Sequence, residues 1–236
     1  MTIKSGSFTR LDKYESCPLA AKISYIDKVP EPERPLPAGK TEHANDRGTR
    51  IHDAAEMYVK GGVELIPELS KFKSEFLKAR DLYAAGKAST EGDWGYDKDW
   101  NPVAWMSSDV WVRIKCDLVV FLSPASAVVI DYKSGRRFGN EIKHGQQMQL
   151  YCIGTLLRYP KVKSVTTELW YIDQDEMASM TYTREQGLRF VANFERRLTK
   201  LTTAEDFPPN PNPHSCRWCP WKPKHLGGTG HCSVGV

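Results

Sequence analysis

Long apolar runs are missing from this chain: the longest, Leu118 to Leu122, covers five residues. A helix needs roughly 20 apolar residues to cross a bilayer, so no membrane span is expected. The opening MTIKSGSFTR has no apolar core and does not read as a targeting signal, and a cytoplasmic protein is therefore expected. A large excess of one charge is also missing. Against 29 Asp and Glu stand 33 Lys and Arg, a formal net charge of +4. That balance permits a nucleic-acid partner without demanding one. Internal repeats and low-complexity tracts are absent, which excludes solenoid and collagen-like architectures. Cysteine is sparse at six residues, and a cytoplasmic setting argues against a disulfide framework. Metal ligation is the better use of these thiols. Cys216 and Cys219 form a CxxC, Cys232 follows, and Cys17 stands near the N-terminus before Pro18. Cys116 and Cys152 lie in apolar surroundings and read as small core residues.

What is present is ordinary globular material, 40% hydrophobic and 26% charged over 236 residues, enough for one α/β domain. Phe8, Leu11, Tyr14 and Leu19 recur at helical spacing after Ser7, which predicts a helix over 7–26 disturbed by Pro18. A Pro-rich connector follows. Helices are predicted over 44–60 and 68–85, stopped by Gly61-Gly62 and Gly86. The segment STEGDWGYDKDWNPVAW suits a strand pair, and Val112 to Lys133 reads as two apolar strands in a hairpin. A helix carrying Gln147 and Tyr151, a strand VTTELWYID, and a helix from the cap Thr183 to about Leu201 complete the chain. Three helices followed by β-β-α-β-α predict an α/β fold with a mixed central sheet flanked by helices. The tail from Asp206 to Cys232 is rich in Pro, Gly and Cys and cannot pack a core alone. A metal centre is expected to hold it.

The chemistry concentrates between Val112 and Tyr151. Asp117 is followed, after 13 residues, by Asp131-Tyr132-Lys133. Alternation along a strand points Asp131 and Lys133 the same way. A DxK tripeptide alone is common, and its plain use is an ion pair at a strand end. Here it follows the buried run AVVI and faces a second aspartate. Two carboxylates suit a hard cation such as Mg²⁺, which prefers oxygen ligands and keeps several waters. Such a cation lowers the pKa of bound water and stabilises charge on a phosphodiester. His52, on the helix with Ala55, Tyr58 and Val59, could complete the metal shell, although a lone helical histidine is more often structural. Gln147 and Tyr151, at i and i+4, share a helix face that could meet the substrate backbone.

Taken together, Gly48 to His52 as GxxxH, Asp117, Asp131/Lys133 as DxK and Gln147/Tyr151 as QxxxY resemble the RecB-type branch of the PD-(D/E)xK nucleases. The likeness extends to the CRISPR-associated single-strand exonucleases and related phage exonucleases. It implies the restriction-endonuclease-like fold in one nuclease domain over 1–236. It also implies a Mg²⁺ or Mn²⁺ site at His52, Asp117 and Asp131, with Lys133, Gln147 and Tyr151 as further catalytic residues. Glu91 resembles an acidic position before the central strands. Some members hold a 4Fe–4S cluster with one N-terminal and three C-terminal cysteines, a layout matched by Cys17, Cys216, Cys219 and Cys232. This implies that 7–27 and 207–236 form a cysteine clasp. Two departures stand out. Ile114-Lys115 replaces the usual glycine before the first aspartate, and the gap from Cys219 to Cys232 is long. Spacing alone also allows zinc, with His214, His225 or His231 able to replace one thiolate.

The function implied is a metal-dependent DNA exonuclease acting on free ends, single-stranded ones included, in replication, recombination or repair, and a compact nuclease of this kind suits a phage gene. Arg136, Arg137, Lys143 and His144 follow the DxK strand and could bind phosphates. Trp94, Trp100, Trp105 and Trp111 could stack on bases, with core packing the more common fate. A structure-selective endonuclease of the same superfamily is the first rival, disfavoured by the lack of a sequence-reading module. A non-catalytic DNA-binding scaffold is the second, and it would need neither Asp131 nor Lys133.

Overall fold

The computed structural model of the chain describes residues 1–33 and 35–236. In chain order the helices are α1 (Phe8–Ser16), α2 (Pro18–Tyr25), α3 (Ala44–Val59), α4 (Lys73–Ala84), α5 (Glu141–Arg158), α6 (Arg184–Leu188), α7 (Val191–Thr203) and α8 (Pro213–Trp218). The strands are β1 (Ala88–Tyr96), β2 (Pro102–Val103), β3 (Val112–Ser123), β4 (Ser126–Lys133), β5 (Ser164–Tyr171) and β6 (Glu176–Thr183). The chain divides into two compact units, Leu36–Ala192 and a second built from both termini, Met1–Pro35 with Asn193–Val236.

The larger unit is a six-stranded sheet in the order β2-β1-β3-β4-β5-β6. All neighbours are antiparallel except β4 and β5, which run parallel. A parallel pair needs a crossover, and α5 supplies it. On one face of the sheet, Ile51, Ala55 and Val59 of α3 and Phe76 and Ala79 of α4 pack against Leu118, Val120, Ile130 and Tyr132. Phe76 sits between Tyr132, 5.2 Å away, and Trp170, 5.3 Å away, measured between ring centroids. Burying each such side chain contributes about 1.5–3 kcal/mol. α5 buries Leu150, Cys152, Ile153 and Leu156. It approaches β3 closely at Gly154, where an added Cβ would stand 2.8 Å from Ile114 Cδ1.

β3 changes face along its length. Ile114 packs under α5, whereas Leu118 and Val120 join the core of α3 and α4. In a regular strand these even-numbered positions would share one side. The switch falls at Asp117, and opposite it on β1 Glu91 takes a left-handed φ of 45° between the pairs Thr90↔Leu118 and Gly92↔Cys116. The register is the same on both sides of this point, one residue opposing one, and the side chain at the switch is Asp117.

In the terminal unit, Pro18 ends α1 and opens α2, with Cys17 between them in extended conformation. Ser7 caps α1, as its position in the sequence predicts. Glu15 forms a two-pronged ion pair with Arg197, both contacts at 2.7 Å. Lys13 lies over the ring of Trp221 at 5.1 Å, so side chains join the two ends of the chain.

Three elements depart from the sequence-based expectation. β6 is an additional strand, an edge strand whose mostly exposed residues carry little periodic signal. The helix expected over 183–201 is two, α6 and α7. Gly187 lies in the first, where a Cβ would stand 2.5 Å from Leu156 Cδ1, and glycine weakens a helix interior. The helix expected over 68–85 begins as a 3-10 turn, Pro67–Phe72.

Candidate active site

The end of β4 gathers the predicted residues. Asp131 is 2% exposed, and its Oδ2 lies 2.6 Å from Lys133 Nζ. Lys133 Nζ donates to Gln147 Oε1 at 2.8 Å, and Gln147 Nε2 donates to Asp131 Oδ1 at 3.3 Å, closing a ring of three side chains. Gln147 also donates to the hydroxyl of Tyr151 at 2.7 Å. Tyr151 is 6% exposed, so it stands behind Gln147 rather than facing solvent.

Asp117 enters from β3. Regular pairing between β3 and β4 runs only as far as Leu118↔Ile130. Beyond it, the Tyr132 N–H donates to Asp117 Oδ2 at 2.7 Å, so a carboxylate takes the amide at the open end of the ladder. Asp117 Oδ1 lies 3.1 Å from His52 Nδ1 on α3. Burial pulls the His52 pKa down, but the hydrogen bond and charge of Asp117, with the charge of Asp131, raise it overall. Burial holds the Asp131 carboxyl above the ordinary carboxylate range, helped by the charge of Asp117 and opposed by Lys133 and His52.

Two residues outside the motifs hold α3 in place. Arg47 makes a two-pronged contact with Asp173 at 2.8 and 3.0 Å and donates to the Ser134 carbonyl at 3.2 Å. The first turn of α3, bearing Gly48, thus rests near the end of β4, where a Cβ on Gly48 would be 3.4 Å from Ser134 Oγ. Nothing in the sequence announces the Arg47–Asp173 pair, because its partners lie 126 residues apart.

No group of three or more His, Cys, Asp or Glu side chains among the described residues stands in metal-holding geometry. The donor set nonetheless fits a hard cation. Asp131 Oδ2 is buried with the Lys133 ammonium against it, and a second carboxylate and an imidazole stand nearby. A carboxyl whose proton affinity is raised by burial and by a neighbouring carboxylate is relieved by a divalent ion.

The remaining candidates are spread out. Glu91 pairs with Lys115. Arg137 pairs with Glu176 at 2.9 Å, and His144 Nδ1 lies 3.1 Å from the Tyr171 hydroxyl. Trp94, Trp100 and Trp111 are buried, and Trp105 is half-buried under Arg113. All six cysteines are free thiols, Cys116 and Cys152 within the core. Burial raises the Cys219 thiol pKa, a Trp221 N–H lowers it, and the charges of Cys17, Cys216 and Cys232 raise it further. The Asn210 N–H donates to Cys17 Sγ at 3.5 Å, tying the C-terminal segment to the α1–α2 junction. No helix of the described residues is long and apolar enough to cross a membrane.

The gene 69 protein of Mycobacterium phage D29 is 22% identical over 260 residues, covering 90% of this chain and 93% of its own. Among solved structures, the crystal structure of SSO0001 aligns over 99% of this chain and 87% of its own at 11% identity and a TM-score of 0.40. That of a Eubacterium rectale protein named as a suspected exonuclease covers 88% and 84%, at 11% identity and a TM-score of 0.45. The family profile of the PD-(D/E)XK nuclease superfamily matches residues 5–223. With its mixed sheet and its Asp117, Asp131 and Lys133 gathered at the end of β4, this chain belongs to the PD-(D/E)XK nuclease superfamily.

Proposed function

We propose that the chain is a metal-dependent DNA exonuclease. The observation that carries this reading is the ring of Asp131, Lys133 and Gln147 beside the Asp117–His52 pair. His52, Asp117 and Asp131 would hold Mg²⁺ or Mn²⁺. When bound, the ion supplies an acidified water and offsets charge on the phosphodiester. Lys133 holds the attacking water in line, and Gln147 fixes the Lys133 ammonium through its Oε1. Tyr151, buried, positions Gln147 and does not touch DNA. Action at ends is supported by the resemblance to single-strand exonucleases and by the lack of a sequence-reading module. End-labelled linear and covalently closed circular DNA, with Mg²⁺, Mn²⁺ or EDTA, provide the test. Progressive loss of linear DNA only, abolished by EDTA, is expected. Efficient cutting of the closed circle would make the enzyme an endonuclease.

The same reading covers the terminal unit as a clasp to a single nuclease domain. In this reading Cys17, Cys216, Cys219 and Cys232, all free thiols, would supply the four thiolates of a 4Fe–4S cluster, with zinc as the alternative.

A further inference from the structure

The loop after Lys133 presents two large apolar side chains to solvent beside the catalytic cluster. Phe138 is 89% exposed and Ile142, in the first turn of α5, is 80% exposed. Between them and Lys133 lie Arg136 and Arg137, and Lys143 follows. The loop is pinned from below by the turn between β5 and β6. The Arg137 N–H donates to Gln174 Oε1 at 3.2 Å, and Gln174 Nε2 donates to the Gly135 carbonyl at 3.4 Å. Glu176 is engaged by Arg137, and Glu141 accepts the Gly139 N–H at 2.8 Å. Both nearby carboxylates are therefore occupied within the loop. Arg136, exposed, forms no ion pair among the described residues. Arg136, Phe138 and Gln174 line a cavity of about 460 Å³, within the size range of ligand sites.

We propose that Phe138, backed by Ile142, is a stacking platform for an unpaired nucleobase next to the scissile phosphate, with Arg136 bound to the adjoining phosphate. This rests on the nuclease reading above and adds to it a substrate form, a strand whose bases are unpaired at the site. An aromatic face accepts any base, because every base has a π-face, so the platform selects for single-strandedness without reading sequence. Among the tryptophans of β1 and the β1–β3 connection, Trp94, Trp100 and Trp111 are buried and Trp105 has its face taken by Arg113. A cation beside an aromatic is also the pairing that a nucleotide, base plus phosphate, requires.

The test uses the full chain and an oligonucleotide carrying 2-aminopurine near its end. Binding is followed in EDTA, and steady-state cleavage is followed separately with Mg²⁺. Phe138→Ala is expected to weaken single-strand binding, and to raise KM, by about 5- to 150-fold with little change in kcat. Phe138→Trp should restore both, and Met106→Ala, a distant exposed apolar residue, should change neither. An abasic nucleotide at the stacked position should weaken wild type by the same factor and leave Phe138→Ala unaffected. Unchanged binding in Phe138→Ala overturns the platform, as does a loss of kcat alone. A changed sedimentation mass with unchanged binding would assign the patch to a second copy of the chain and overturn it equally. Failure of wild type to cut any DNA would sink the nuclease reading instead, and the EDTA binding arm would still decide the platform.

Discussion

At the residue scale, the site works through dependence of one side chain on another. Lys133 is held by Asp131 and Gln147, and Gln147 by Tyr151. Lys133→Ala should lower kcat by about 10²- to 10⁴-fold, the range for a lost proton-handling group, while the far-UV spectrum stays native. Tyr151→Phe removes only the hydroxyl behind Gln147. It should cost about 10- to 100-fold in activity, the usual effect of a group that orients a ligand, with KM for DNA little changed. A rise in KM alone would place Tyr151 in DNA binding instead. His144 offers a pH test away from the carboxylates. Burial, with the charges of Lys133 and Lys143, lowers its pKa to about 4, and Glu141 only partly opposes this. The unfolded chain therefore takes up this proton first as pH falls. The stability tied to neutral His144 is complete above the unfolded value of about 6.5 and is lost progressively down to about pH 4. Urea melts across that window should show the slope in wild type and a shallower one in His144→Gln. Equal slopes would show that the ring is not held neutral.

At the element scale, local rules account for much of the fold and some of its failures. Pro18 splits the first helix at the predicted place, because proline opens a helix more readily than it continues one. DxK and QxxxY were legible because each lies within one element, with periods of two and four that fix which side chains share a face. The turn of β3 at Asp117 was not, since it needs Glu91 from another strand in a left-handed conformation. β6 was missed because an exposed edge strand alternates weakly, and the break between α6 and α7 because it goes with a close approach of Gly187 to α5. The core behind the site makes a separate prediction. Phe76 is fully buried and touches the rings of Tyr58, Tyr132 and Trp170. Phe76→Ala should destabilise the protein by about 3–5 kcal/mol in urea unfolding. Tyr132 lies between Asp131 and Lys133 and gives its amide to Asp117, so activity should fall before the protein unfolds globally.

At the scale of the whole molecule, the two chain ends form one unit, and its cohesion is a question of chemistry as well as packing. Phe8, Leu11, Tyr14, Ile23, Phe194, Leu198, Leu201, Phe207 and Trp221 are buried in it, while the segment from Pro208 to Pro213 is mostly exposed. The composition of the tail predicts an anchor, and the Asn210 N–H donates to Cys17 Sγ, which ties Cys17 to the segment leading to the three C-terminal cysteines. What spacing could not show is the metal, because CxxC serves zinc and iron–sulfur sites alike. Binding energy at such a centre is folding energy. Protein prepared without oxygen should therefore be brown and contain about four iron atoms per chain. Serine at Cys17, Cys216, Cys219 or Cys232 should remove the iron and lower the melting temperature and soluble yield, with activity falling as a consequence. Cys116→Ser and Cys152→Ser, in the core of the other unit, should keep full iron content. About one zinc and no iron would replace the cluster with a zinc site. Active, well-folded protein with neither metal would leave the terminal unit held by its apolar contacts and the Glu15–Arg197 pair alone.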